Sequence, residues 1–319
     1  MSEIHNEWFA IVNPHAGSGK TMSEWAEAEK LMMAANIGYK AVLTTYKYHA
    51  VSLAQDAARL GYRRILAVGG DGSIHEVLDG IMKYCERTGT DPEEFYLAVI
   101  PIGSGNDWIK STGIKHDKNL IVKLIAGGSF GKEDIIKVES DRGVSYIANI
   151  GGVGFDSHVC ERVNRQKERG KRSKRIYITA LIQTMFSIKA FDVVLYADSQ
   201  KVFEGPMYSM ALGNGRFSGG GMIQVPLADM DDGILDWMIV PKMPITRLLK
   251  NCTRLFKGNM HESPDVRYGK CKTLSLCLMP NASSRKHYEI VEVDGEIEGE
   301  LPMTVTVTGQ KINILVGKK

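Results

Sequence analysis

Ile65-Leu-Ala-Val-Gly-Gly-Asp-Gly-Ser-Ile-His-Glu76 decides the fold. Four apolar residues run into two adjacent glycines, and a segment of helical periodicity follows from Ser73 to Lys83. A strand that ends on glycine and turns straight into a helix is one arm of a strand-helix-strand unit. Adjacent glycines also remove side chains where a polyphosphate could touch backbone N–H groups, and the helix N-terminus behind them favours negative charge. Ser73 and Glu76 spell an S-x-x-E capping box, expected to fix the helix start. Asp71 sits in mid-turn and would repel bare phosphate, so it implies a magnesium ion or a substrate hydroxyl beside it.

The pattern recurs on both sides. Trp8-Phe-Ala-Ile-Val12 leads into Asn13-Pro-His-Ala-Gly-Ser-Gly19 and an amphipathic stretch from about Thr21 to Ala35. Leu97-Ala-Val-Ile100 leads into Pro101-Ile-Gly-Ser-Gly-Asn-Asp107 and a short helix, and a further strand, Tyr39 to Thr44, precedes a helix from about Tyr48 to Leu60. Strands alternating with helices indicate a mainly parallel sheet with helices on both faces. Ligands of such sheets bind at the carboxyl ends of the strands, where all three glycine turns fall, so one site built from three loops is expected. The first turn nearly spells a P-loop, but the leading glycine of GxxxxGK[ST] would fall on Pro14, which lacks an N–H and cannot adopt positive φ.

Beyond about Ile135 the texture becomes β-rich. Phe191 to Ala197, Met207 to Leu212, Ile234 to Val240, Lys272 to Leu278, Tyr288 to Val293 and Thr304 to Val307 read as strands, with helices near 174–189 and 245–257. A β-sandwich or distorted barrel is expected, and the boundary is set at Gly127-Gly128, giving domains 1–128 and 129–319, with the extreme C-terminus free to return to the first.

A length of 319 residues suits two domains of ordinary size. Lys+Arg 40 against Asp+Glu 37 is too balanced for a surface dedicated to nucleic acid. No apolar run is long enough to cross a membrane and the start is polar, so a cytoplasmic protein is expected. The five cysteines have no metal spacing and read as reduced core thiols.

In the β half, Gly213-Asn-Gly215, Gly219-Gly-Gly221 and Pro226-Leu-Ala-Asp-Met-Asp-Asp-Gly-Ile-Leu-Asp236 crowd acids and special backbone positions together, a donor set that suits a hard cation. Val293-Asp-Gly-Glu296 presents two carboxylates across one turn, and strand alternation would send both to one face for general-base work.

Together these segments resemble the diacylglycerol kinase catalytic family, which includes sphingosine and ceramide kinases. The matching pieces are Asn13-Pro-x-x-Gly17, Gly69-Gly-Asp-Gly-Ser-x-x-Glu76, Pro101-x-Gly-Ser-Gly-Asn-Asp107, Gly152-x-Gly-Phe-Asp156, Gly219-Gly-Gly221 with Pro226-x-Ala228 and Asp231-Asp-Gly233, and Asp294-Gly-Glu296. Ala16, Ser73 and the Ser104-Gly105 pair depart from the usual residues, and only Ala16 loses a hydroxyl. The resemblance implies an ATP-dependent transfer of the γ-phosphoryl group to a lipid hydroxyl, diacylglycerol foremost. A sphingoid or polyprenol acceptor, an NAD-kinase-like soluble substrate and a non-catalytic nucleotide-binding regulator are the alternatives. It implies ATP contacts at Asn13, Pro14, Gly17, Thr44, Thr45, Gly70, Asp71, Gly72, Ser73, Glu76, Ser104 and Asn106. Magnesium is implied at Asp229, Asp232 and the backbone of Ile234, linked through water to Asp71, Asp107 and Asp134. Proton transfer is implied for Asp294, Glu296 or Asp71, and the reading of the residues leans to Asp294 because Asp71 lies inside the phosphate loop.

The implied partners are a lipid alcohol and the membrane surface, with a homodimer left open. Between Arg162 and Arg175 lie eight Lys/Arg and one Glu, ahead of the apolar stretch Ile176 to Ile188, and this pairing is expected to dock on anionic lipid.

Overall fold

The computed structural model describes residues 5–103, 106–168, 179–180, 183–184, 187–279 and 289–317. The chain forms two compact units, Met1–Ile135 with Gly309–Lys319, and Ile136–Thr308. Gly127-Gly128, where the sequence reading set its boundary, closes a helix eight residues before the chain leaves the first unit.

In the first unit the strands β1 (His5–Val12), β2 (Tyr39–Leu43), β3 (Tyr62–Gly69) and β4 (Tyr96–Pro101) lie in the order β2-β1-β3-β4, every pair parallel. The runs Trp8–Val12, Ile65–Val68 and Leu97–Ile100 are buried throughout, as strands covered on both faces require. The covering helices are α1 (Thr21–Ala34), α2 (His49–Arg59), α3 (Asp71–Thr88), the short α4 (Asp107–Ser111) and α5 (Lys118–Ala126). Ala50, Ala54, Ala57 and Ala58 form the buried stripe of α2, and their small size lets α2 lie close against α3.

The expected capping box does not form. Gly70, extended at φ −99°, is the N-cap of α3, and its carbonyl accepts the N–H groups of Ser73 and Ile74. Glu76 instead accepts the Ala50 N–H at 3.2 Å, capping the neighbouring α2. With the helix starting two residues before Ser73, that residue is already inside the first turn and cannot serve as its cap.

The second unit is antiparallel. Its elements are β5 (Phe130–Ser140, which enters it from the first unit), β6 (Gly143–Ile147), β7 (Ile150–Gly154), α6 (Phe155–Glu168), β8 (Phe191–Ala197), β9 (Gln200–Gly213), β10 (Phe217–Ser218), β11 (Met222–Ile223), β12 (Leu235–Pro241), α7 (Ile245–Lys257), β13 (Arg267–Cys271), β14 (Thr273–Leu278), β15 (Ile290–Val293), β16 (Glu296–Glu300) and β17 (Met303–Leu315). The sheet runs β16-β15-β7-β9-β8-β14-β17, with β12 joining β9 to β13, and folds around Phe191, Val193, Leu195, Met207, Met210 and their neighbours. The strand β7 carries no strand signature in the sequence, because it reads Ile-Gly-Gly-Val-Gly. A side chain at Gly152 would stand 2.5 Å from the Met210 carbonyl, so glycine here serves close backbone pairing. The end of β17 rejoins the first unit, with Asn313 and Ile314 parallel to Tyr96 and Leu97. The helix expected at 174–189 lies mostly outside the described residues.

Candidate active site

In the first unit the three glycine turns meet at the carboxyl ends of β1, β3 and β4. Gly17, at φ +55°, lies so close to Ile102 that a side chain there would stand 2.7 Å from Cγ2. The Ile102 N–H donates to the Gly69 carbonyl at 2.7 Å, and the Asn13 side-chain amide donates to Ser73 Oγ at 3.3 Å. A side chain on Gly69 would stand 2.2 Å from that same hydroxyl. Asn106, in the left-handed region, donates to the Gly103 carbonyl at 3.1 Å and aims Oδ1 across Gly70 and Gly103. Asn106 is 6% exposed, and Oδ1 finds no hydrogen-bond partner among the described residues. A bare glycine cradle with a buried unsatisfied amide oxygen beside a long helix's N-terminus fits a phosphate-bearing ligand that also donates a hydrogen bond.

The other residues of the expected nucleotide site are placed as follows. Pro14 is spanned by the turn in which the His15 N–H donates to Asn13 Oδ1 at 3.0 Å. Thr44, buried, follows β2, its N–H donating to the Val12 carbonyl, while the Thr45 N–H donates to His49 Nδ1 at 3.1 Å. Gly72 lies in the first turn of α3, and Ser104 falls outside the described residues.

Among the described residues, the first-unit acids expected at the site are all engaged. Asp71 accepts the Trp108 N–H at 3.0 Å, Asp107 pairs with Lys110 at 2.6 Å, and Asp134 pairs with Lys311 at 3.3 Å. One acid escaped the sequence reading: Glu133, fully buried, receives the Trp108 indole N–H on both carboxylate oxygens at 3.3 and 3.2 Å. Its only signal was a place in the acidic pair Glu133-Asp134 ahead of the apolar pair Ile135-Ile136.

In the second unit, Asp294 and Gly295 both have positive φ, and Val293 pairs with Glu296 across them. This two-residue hairpin turn takes both residues out of strand alternation, so the expectation that Asp294 and Glu296 share one face does not hold. The Asp294 carboxylate folds back onto β7, where Oδ2 accepts the Ala148 N–H at 2.9 Å and Oδ1 those of Asn149 and Ile150 at 2.8 and 3.1 Å. Glu292 accepts the Gly295 N–H at 2.9 Å, and the Gly295 carbonyl receives Cys160 and Asn164 of α6. The turn is therefore rigidly held on three sides.

The Asp229–Ile234 turn supplies hard oxygen donors. Asp229 Oδ1 accepts the Asp231 N–H at 3.2 Å and Asp232 Oδ1 accepts the Ile234 N–H at 3.1 Å, which orients both carboxylates. No three acidic, histidine or cysteine side chains cluster among the described residues. Lys270 Nζ lies 3.2 Å from Asp232 Oδ2 and 3.1 Å from Asp236 Oδ2. Burial raises the Asp236 carboxyl above its ordinary range, against the pull of the Tyr268 hydroxyl at 2.6 Å and of Lys270. The donor chemistry suits magnesium, and the ammonium beside Asp232 marks the turn as attractive to positive charge.

A small cavity of about 50 Å³, open on one side, lies within the second unit between β9, β12 and α7. Phe155, Tyr208, Met238, Leu248 and Leu255 make its wall apolar. Ser209 and Gln224 are its polar lining residues; Gln224 is 3% exposed, and its Oε1 has no partner among the described residues. A buried amide oxygen without a donor costs about 1–3 kcal/mol, so the cavity is suited to an apolar ligand carrying a hydrogen-bonding head.

Residues 7–138 match the diacylglycerol kinase catalytic domain, and residues 149–316 match the YegS C-terminal NAD kinase beta sandwich-like domain. The chain is 24% identical to a diacylglycerol kinase of Mycobacterium tuberculosis over 309 residues, covering 96% of this chain and 94% of that protein. It is 28% identical to a diacylglycerol kinase of Staphylococcus epidermidis over 310 residues, covering 97% and 91%. A crystal structure of a diacylglycerol kinase from Bacillus anthracis strain Sterne shares the fold, with a TM-score of 0.69 at 20% identity over 98% of this chain and 97% of the other.

Proposed function

Because the chain belongs to the diacylglycerol and lipid kinase family, we propose that it transfers the γ-phosphoryl group of ATP to the hydroxyl of a lipid, diacylglycerol foremost. The lipid hydroxyl oxygen forms the new bond to the γ-phosphorus, the bond to the bridging oxygen of the departing ADP breaks, and the hydroxyl proton passes to a carboxylate. In this reading the Gly70 and Gly103 cradle and the Asn106 amide oxygen hold the nucleotide. Such transfers are achieved mainly by positioning and by neutralising charge, and backbone N–H groups at a helix N-terminus do both. Asp294 is the proposed proton acceptor, since three N–H donors fix its carboxylate and leave it no rotational freedom to lose. Asp229, Asp232 and the Ile234 carbonyl would hold magnesium, which when bound supplies positive charge that ties the turn together. Asp71, in the central glycine turn, would set its negative charge beside a magnesium-bound phosphate, whereas Asp107 and Asp134 are ion-paired with Lys110 and Lys311 and are assigned no step.

The observation that carries the lipid reading is the apolar cavity with its one unsatisfied amide at Gln224. A soluble polar acceptor would gain nothing from such walls, whereas the short stretch of acyl chain that fits there gains about 25 cal/mol per Å² of apolar surface. Turnover of labelled ATP with vesicles containing diacylglycerol, a polyprenol or a sphingoid base, and separately with NAD, tests the proposal. Phosphorylated lipid is expected; phosphorylated NAD, or no product from any acceptor, would sink it.

A further inference from the structure

Helix α7 is fixed on its inner side and amphipathic on its outer side. Pro244 precedes it and Gly258, in the left-handed region, closes it. Leu248 and Leu255 face inward as walls of the cavity, and between them the buried Asn251 donates to Asp265 at 3.1 Å and accepts from Ser263 at 2.7 Å. The orientation of the helix is therefore set by buried contacts, which decides what its outer side presents.

That outer side carries two stripes. At about 100° per residue, Ile245, Phe256 and Leu249 fall within about 40° of arc. They are 46%, 66% and 44% exposed, although each is a residue type that ordinarily seeks the core. Lys257, Lys250, Arg254 and Arg247 fall within about 80° of arc on one side of that stripe. From Lys242 to Lys257 there are five basic residues and no acid. Arg247 reaches Asp265 and Arg254 caps the Asn259 carbonyl, while Lys250 and Lys257 have no ion-pair partner among the described residues. No described helix is long and apolar enough to cross a membrane, so insertion across a bilayer is not what this pattern serves.

We propose that α7 is an interfacial helix that lies in the surface of an anionic bilayer, with Ile245, Leu249 and Phe256 inserted among the acyl chains and the neighbouring lysines and arginines on the headgroups. Exposed apolar side chains flanked by a one-sided basic stripe are the requirement for that placement, because burial supplies one part of the binding and charge complementarity the other. The same helix walls the cavity with its inner face, so docking brings the cavity of the second unit against the phase in which a lipid acceptor dissolves. The inference deepens the lipid-acceptor reading, but it is measured without nucleotide or turnover, so either can fail alone. It does not involve the basic segment 162–175, the second half of which lies outside the described residues.

Vesicle sedimentation of the full chain tests it, with phosphatidylcholine vesicles and with vesicles containing a quarter phosphatidylglycerol. The wild type is expected to partition onto the anionic vesicles, less so at high salt. Leu249→Ser with Phe256→Ser, and separately Lys250→Gln with Lys257→Gln, should each weaken that partition about tenfold with an unchanged melting temperature, since all four side chains are exposed. Anionic-vesicle binding that survives both pairs, or that is lost only on neutralising Arg169, Lys171, Arg172 and Lys174, would overturn the proposal. So would a chain that is dimeric in solution, dissociates on Phe256→Ser and never binds vesicles, because the stripe would then cover a second copy.

Discussion

The carboxylate of Asp71 accepts the backbone N–H of Trp108 at 3.0 Å, so the acid of the central glycine turn also anchors the start of the short helix that follows the third turn. Two of the three loops are thereby fastened by the side chain that the sequence marks as chemically special. Trp108 is held again at its other end by Glu133.

We expect Asp71→Asn to reduce turnover by at least a hundredfold while the chain stays folded. Asparagine keeps an acceptor for the Trp108 N–H but loses the charge, so a stability loss near the lower end of the ~0.5–2 kcal/mol of a capping substitution is expected. Steady-state kinetics beside thermal melting decide the matter, and near wild-type kcat in the folded variant would remove any chemical role for Asp71.

Asp294→Asn should cost both stability and transfer, whereas Glu296→Gln should leave stability close to wild type. An asparagine amide cannot receive all three N–H groups of residues 148–150, and stranding one costs about 1–3 kcal/mol. Loss of transfer in Asp294→Asn with ATP affinity retained supports proton transfer there. Full activity in both single variants and in the double variant would return that role to Asp71.

If the Asp229–Ile234 turn takes magnesium, the ion competes with the Lys270 ammonium at Asp232. Magnesium should raise the melting temperature of the wild type, raise that of Lys270→Met more, and leave Asp232→Ala unmoved. Equal melting with magnesium and with chelator in all three proteins would dismiss a cation at this turn.

Gln224→Leu should leave the melting temperature equal or higher, because an unsatisfied buried amide is replaced by an apolar group of similar size. The KM for the lipid should rise about tenfold while the KM for ATP does not change. An unaltered lipid KM would show that the amide does not meet the acceptor.

Burial pushes the thiols of Cys85 and Cys271 up to about 12. The folded values exceed the unfolded value of about 8.5, so the native state keeps protons that the unfolded chain releases. The resulting stability is fully present below about pH 8.5 and is lost as pH rises toward 12, at most about 1.4 kcal/mol per pH unit for each thiol. Melting followed from pH 8 to 11 should show this fall, and its slope should flatten in Cys85→Ala and in Cys271→Ala. An unaltered slope in both variants would mean that other groups govern alkaline unfolding.

The sequence by itself determined the alternation of the first unit, because glycine turns after buried apolar runs admit few other folds, and it determined that three loops belong together at the strand ends. It also marked Asp71 and Asp294 as exceptional, since an acid among glycines has no packing purpose. Tertiary structure alone decided what those acids touch. Glu76 caps α2 rather than its own helix, and Asp294 turns back onto residues 148–150, because each carboxylate goes to N–H groups that the sequence places 26 and about 145 residues away. The strand β7 was illegible for the same reason: Gly152 and Gly154 are chosen for the backbone of β9 lying against them, a neighbour that exists only in the folded chain. Gln224 and Glu133 are likewise ordinary polar residues in the sequence, and become functional candidates only through burial, which three-dimensional packing creates.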